Sequence, residues 1–253
     1  MLTVIATLLA PAHAQGINIT IAPGAADVPL ALPKTEAPAG EAKGDDVWDA
    51  VKTDLGFSGY FTLQDPAGYV EKAKGVEPGQ FDMAAWTMIR TSVLVKTRVL
   101  PAGHASCDPG GSRMCADVYI YWVPTGEKLG SKRFRGSPDS ARHLGHAIAN
   151  EVLRLTTGTV GIFGTRIAAV GSKSGNKEIY VLDLDGHGVQ PVTRNGAINL
   201  SPAWSPDGGS IAWTSYKKAN PDLYVKDLGS GRTRTISNVR GINTSPDWSP
   251  DGS

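Results

Sequence analysis

His143 and His146 stand three residues apart in a segment patterned as a helix, a spacing that lets two imidazoles share a metal ion when further ligands converge. No carboxylate occurs here at the Glu-x-x-His spacing that would help complete such a set, so both are expected to be ordinary helix-surface histidines. Asp183-Leu184-Asp185-Gly186 opens like a calcium loop, but the remaining ligand spacing is absent. One repeat further on the same place reads Asp227-Leu228-Gly229-Ser230, without the second acid, so a hairpin turn accounts for both copies. Gly171-Ser172-Lys173-Ser174-Gly175 puts lysine where a serine nucleophile elbow needs serine, and no phosphate-cradling loop with Lys-Ser/Thr precedes a helix. Cys107 and Cys115 lack further ligands at zinc spacing, whereas a disulfide between them is natural in an oxidising compartment. The expectation is no catalysis, no cofactor and no metal.

The elements that carry these residues are organised by a repeat. Trp204-Ser205-Pro206-Asp207-Gly208 recurs as Trp248-Ser249-Pro250-Asp251-Gly252, an offset of 44 residues. The register extends outward: Ile167-Ala168 matches Ile211-Ala212, Tyr180-Val181 matches Tyr224-Val225, and Asn199 matches Asn243. A unit of that length cannot bury its own apolar face and must stack on copies of itself. Short β-rich runs at 203–204, 211–215, 223–228 and 233–237 give four strands per period, the signature of a β-propeller blade. Trp204 and Trp248 suit packing between blades. Pro206, Asp207 and Gly208, and equally Pro250, Asp251 and Gly252, have the types of a tight turn. The first blade is expected to begin near Val160, where the motif is lost. The second runs from about Ser201 to Ser237, and the third has only an inner strand and first turn before Ser253. About two blades are therefore present, and the chain reads as truncated at its C-terminus, since a ring needs about four to eight.

The front half reads as an α/β domain. A strand fits 17–21, an extended or loop stretch Pro23 to Gly44, a helix Asp46 to Leu55, and a strand Tyr60 to Leu63. A second helix starts near Asp82 and feeds a strand, Ser92 to Leu100. A hairpin pairs 117–123 with 128–135, and a helix opens with Ser137 as cap and Pro138 at its first position. Its apolar stripe is Leu144, Ile148, Val152 and Leu155. Leu2 to Ala10 form a short apolar core, and Ala12-His13-Ala14 is a peptidase-type ending, which predicts export with cleavage after Ala14. The predicted division is 1–14 signal peptide, 15–158 α/β domain, and 159–253 incomplete propeller. With 25 basic and 24 acidic residues well mixed, no basic stripe marks a nucleic-acid or membrane surface, and no run spans a bilayer.

An exported α/β domain ahead of Trp-Ser-Pro-Asp-Gly blades resembles the TolB family of the Tol–Pal system. The resemblance rests on Val51 to Phe61, Ala84-Ala85-Trp86, Leu144 to Gly158, and Phe163 to Ala168, together with the blade motif. It implies a periplasmic, non-enzymatic and monomeric adaptor with a six-bladed propeller in the full-length family. The propeller would bind the peptidoglycan-associated lipoprotein Pal, and the mature N-terminal segment would contact TolA to maintain the outer membrane during division. Carried onto this sequence, the TolA segment is Gln15, Ile17, Asn18 and Ile19. The Pal face is Asn195, Asn199, Leu200 and Ser201 from one loop and Ile242, Asn243, Thr244 and Ser245 from the next. Those loops occupy equivalent places on a repeated scaffold and differ in sequence, where binding specificity usually sits. The alternatives are an exported, propeller-gated serine hydrolase similar to prolyl oligopeptidases, its catalytic domain lying beyond Ser253, and a sugar-binding propeller, which would need an aromatic-lined pocket.

Overall fold

A computed structural model describes residues 28–71 and 75–252. The expected strand at 17–21, the cleavage point at Ala14 and the TolA segment Gln15, Ile17, Asn18 and Ile19 lie outside the described residues. No helix among the described residues is long and apolar enough to cross a membrane.

The first domain is a five-stranded sheet in the order β2-β1-β3-β4-β5. Strand β1 (Val28–Ala31) pairs in parallel with β2 (Phe61–Leu63) and β3 (Val93–Leu100). Strands β3, β4 (Met114–Trp122) and β5 (Glu127–Gly136) are antiparallel. One sheet face is covered by α1 (Lys43–Phe57) and α3 (Ala141–Thr157), the other by the short α2 (Met83–Met88). The helical stripes behave as their spacing requires. Val47, Val51 and Leu55 on α1, and Ile148 and Val152 on α3, are fully buried in one cluster with Val93, Val95 and Val99. Asp82 caps α2 by accepting from the Ala84 amide. Ser137 and Pro138 do start the last helical run, but as a 3₁₀ turn (Pro138–Ser140) from which α3 continues. Gly158 ends α3 at φ 73°, a left-handed position that glycine adopts at low cost.

β1 is part of the stretch Pro23 to Gly44 expected to be extended or loop, and here the extended piece pairs into the sheet. Pro29 obscured it, because proline cannot donate to a ladder. Here the β1–β3 ladder begins only at Leu30, so the missing donor falls before it, while the Pro29 carbonyl accepts from Ser92 N at 2.9 Å.

Cys107 and Cys115 are joined by a disulfide next to Leu100, where β3 ends and β4 begins. Reduction is expected to lower stability by ~2 kcal/mol, because the closed loop is short. The β3–β4 pairing should persist, since it runs in register from Val93↔Trp122 to Leu100↔Cys115. Denaturant midpoints with and without reductant, read beside far-ultraviolet circular dichroism, check this.

The second half forms two blade-like sheets. The first has three strands, β6 (Arg166–Gly171), β7 (Glu178–Asp183) and β8 (Gln190–Pro191). The second has the expected four, β9 (Asn199–Trp204), β10 (Ser210–Lys218), β11 (Asn220–Asp227) and β12 (Thr233–Ser237). Ile179, Val181, Val192, Ile211, Trp213 and Tyr224 pack between the sheets, with Trp204 half-buried against them.

Two expectations are corrected. No strand begins at Val160; Phe163 instead inserts into the first-domain core, its backbone bracketed by the Asn150 amide at 2.8 and 3.1 Å. The third unit forms no inner strand among the described residues, yet it is tethered: Trp248 Nε1 donates to Ala203 O at 3.1 Å and Ser245 N to Thr214 Oγ1 at 3.1 Å.

Candidate functional site

The motif turns are built as their residue types demand. Ser205 Oγ accepts from Ser210 N at 2.8 Å and donates to the Asp207 carboxylate, which also accepts from Gly209 N. Pro206 and Pro250 are exposed, and Gly208 and Gly252 take φ 68° and 81°. Ser249 and Asp251 repeat the Ser–Asp bond at 2.6 Å. These residues shape turns and offer no reactive arrangement.

The two loops assigned to partner binding, 195–201 and 240–245, do lie at equivalent places of the repeat, at the entry to the inner-strand segments. Their tips are apolar: Ile242 is 85% exposed and Ile198, one repeat earlier, is 48% exposed. Ser201 and Ser245 follow at equivalent positions with φ 51° and 56°, and both are exposed, as is Thr244. The Ser201 conformation coincides with the register shift between β9 and β10, which turns the chain at the start of the strand. Leu200 is half-buried.

Asn199 does not fit the role expected of it. It is fully buried and cannot touch a partner. Its amide donates to Lys177 O, Glu178 Oε2, Asn195 Oδ1 and Ala197 O, and its oxygen accepts from Trp213 Nε1 and Asn195 Nδ2. The buried Glu178 completes the hub by accepting from Thr193 Oγ1 and from the amides of Asn195 and Gly196. Asn195 is therefore exposed but tied. Asn243 repeats the arrangement half-exposed, donating to Pro221 O, Val239 O and Gly241 O. Its oxygen accepts from Ser237 Oγ. Asn199 and Asn243 fix the loops; Ile198, Ser201, Ile242, Thr244 and Ser245 present them. The 44-residue offset from Ile242 could have found Ile198, but nothing in the spacing signalled the roles of Glu178 and Asn199.

A second polar cluster sits where the first domain meets the first blade. His146 is only 2% exposed, not on the helix surface; His143 alone is exposed. His146 Nδ1 lies 2.6 Å from Asp54 Oδ2 on α1, and Nε2 lies 3.8 Å from Asp185 Oδ2 in the turn after β7. Arg142 pairs with Asp185, and His187 Nδ1 is 3.2 Å from the same carboxylate oxygen. Asp185 is thus more than a turn residue. Burial pushes Asp54 up and also opposes charging of His146, but the Asp54–His146 bond and the flanking carboxylates outweigh it and hold the imidazole above its ordinary value. Asp185 is held below the usual carboxylate range, its burial outweighed by the His187 amide and Arg142. Asp54, His146 and Asp185 bring donor atoms within 4.8 Å of one another, the types that could hold a divalent ion. The Arg142 guanidinium already supplies Asp185 with a cation.

Comparison with known proteins agrees with both halves. The TolB amino-terminal domain family matches residues 16–107 and the TolB β-propeller domain family residues 153–253. A Tol-Pal system protein TolB from Geobacter metallireducens is 35% identical over 163 residues, 64% of this chain and 36% of that protein. The one from Anaeromyxobacter dehalogenans strain 2CP-C is 34% identical over 221 residues, 85% of this chain and 49% of the other. The chain thus spans about half or less of the length of these relatives. The crystal structure of TolB from Acinetobacter baumannii superposes with a TM-score of 0.73 over 89% of this chain and 53% of that one, at 23% identity, which shows the shared fold. An α/β domain of the TolB amino-terminal type, followed by blades of the TolB propeller, makes this chain a member of the TolB family.

Proposed function

We propose that the chain works in the Tol–Pal system as a protein-binding adaptor rather than a catalyst. It is exported to the periplasm by residues 1–14, binds Pal through its blade loops and reaches TolA through Gln15, Ile17, Asn18 and Ile19. In that setting it helps to maintain the outer membrane during division. The naming of its relatives supports the system, and one observation supports the mode of action. Equivalent loops on a rigid polar hub hold Ile198 and Ile242 out in solvent, where exposed apolar tips cost folding nothing and can anchor a partner. Titration with the soluble domain of the host's Pal, followed by biolayer interferometry, tests this. Micromolar or tighter binding is expected, weakened about tenfold by Ile242→Asp. Absence of association at micromolar concentration, or full affinity in the variant, argues against this face.

A further inference from the structure

We propose that Asp54, His146, Asp185 and Arg142 form a proton-operated clasp that fastens the turn of the first blade to the first domain and loosens as the proton leaves. The argument begins with charge. Asp54 and Asp185 flank the His146 imidazole from different domains, with side chains 3% and 1% exposed. With the imidazole protonated, two buried carboxylates face two cations, His146 and Arg142. Without that proton, one cation remains against two carboxylates, an imbalance that a buried site tolerates poorly.

The neighbours are few. From α1, Asp49 lies 3.7 Å from Arg142 Nη1, beside Asp54. From α3, Arg142 and the exposed His143 face the cluster, the His143 ring centroid 6.1 Å from that of His146. From the blade turn come Asp185 and the half-exposed His187, whose amide donates to Asp185 Oδ1 at 3.0 Å. The clasp closes the same seam that Phe163 enters, and the Leu184 amide donates to Thr165 O within the blade at 2.9 Å. Opening the seam would hydrate Asp185 and separate it from both cations.

The direction follows from the groups themselves. His146 and Asp54 both hold protons to higher pH in the closed seam than they would when separated. Closure is therefore favoured below the ordinary histidine range and weakens as pH rises through the elevated value of His146. Asp185 acts in the opposite sense, but only in strong acid, where protonation removes its pairing with Arg142. The clasp is thus tightest between mild acid and neutrality.

Hydrogen exchange of the full chain, read as protection factors at pH 5.5–8.5, tests this. Amides in 159–165 and 182–188 are expected to lose about tenfold protection as the solution becomes alkaline, whereas β3 and β4 stay constant. His146→Gln should flatten the profile, and His187→Gln should leave its slope in place. A flat wild-type profile overturns the proposal, as does an unchanged slope in His146→Gln. Should that variant fail to fold, the Cε1–H resonance of His146 decides in the wild type: a midpoint above that of free histidine supports the clasp, and one below it overturns it. Loosening by a chelator at constant pH would assign the seam to a metal ion and also overturn the proposal.

Discussion

Adding a single methyl group at Gly145 is expected to destabilise the first domain by about 2 kcal/mol, although alanine is the better helix former. A Cβ on Gly145 would lie 2.6 Å from the Ala50 Cβ and 2.7 Å from the Val47 carbonyl oxygen, both on α1. Intrinsic propensity favours alanine over glycine inside a helix by about 1 kcal/mol. The clash outweighs this because neither neighbour can rotate away: one is a backbone atom and the other a β-carbon. The two helices must separate by a substantial fraction of an ångström, and together they form the layer that covers that face of the sheet. Gly145→Leu should cost more than Gly145→Ala, on the order of 4 kcal/mol, with loss of near-ultraviolet signal from Trp48. Urea unfolding of wild type and both variants gives the measurement. Equal midpoints for glycine and alanine would show that α1 and α3 are not packed this closely. Helix separation would also pull Asp54 away from His146, the next residue along, so the alanine variant should loosen the interdomain seam.

The sequence carried more of the scaffold than of the junctions. Helix α1 was legible because Val47, Val51 and Leu55 recur at helical spacing, and the second blade because each strand is bounded by turn residues and echoed at a fixed offset. Strand β1 was hidden by Pro29 and by its length of four residues. Val160 misled because the repeat frame continues through it, while packing sends Phe163 into the other domain. His146 was misassigned for a related reason. Its partners Asp54 and Asp185 are 92 and 39 residues distant, on two different elements, and no local spacing announces them. The eight residues assigned to the Pal face divided along the same line. Ile242, Thr244, Ser201 and Ser245 stand in solvent, but Asn199 is buried by bonds to β7 and β10 that only the folded sheet reveals.

Asn199→Ala is expected to cost about 3 kcal/mol or more, and Asn243→Ala about 1 kcal/mol, although the two residues occupy the same place in successive repeats. Truncating Asn199 leaves buried Trp213 Nε1 without an acceptor and takes from Glu178 Oε2 one of its two donors, Thr193 Oγ1 being the other, while Lys177 O keeps the backbone amide of residue 199. Each such loss costs roughly 1–3 kcal/mol, and the carboxylate stands at the upper end because it is charged. Water can replace the bonds of half-exposed Asn243, so its loss is nearer the net value of an ordinary hydrogen bond. Asn199→Asp should be no rescue: it keeps the shape but removes the donor that faces Glu178 Oε2 at 2.9 Å and sets a second carboxylate there. Thermal denaturation of the three variants ranks them. If Asn243→Ala matches Asn199→Ala, the buried hub is not what separates the repeats. In the proposed docking of Pal the same ordering is expected, because an untethered 194–199 loop must be ordered again before Ile198 can be presented.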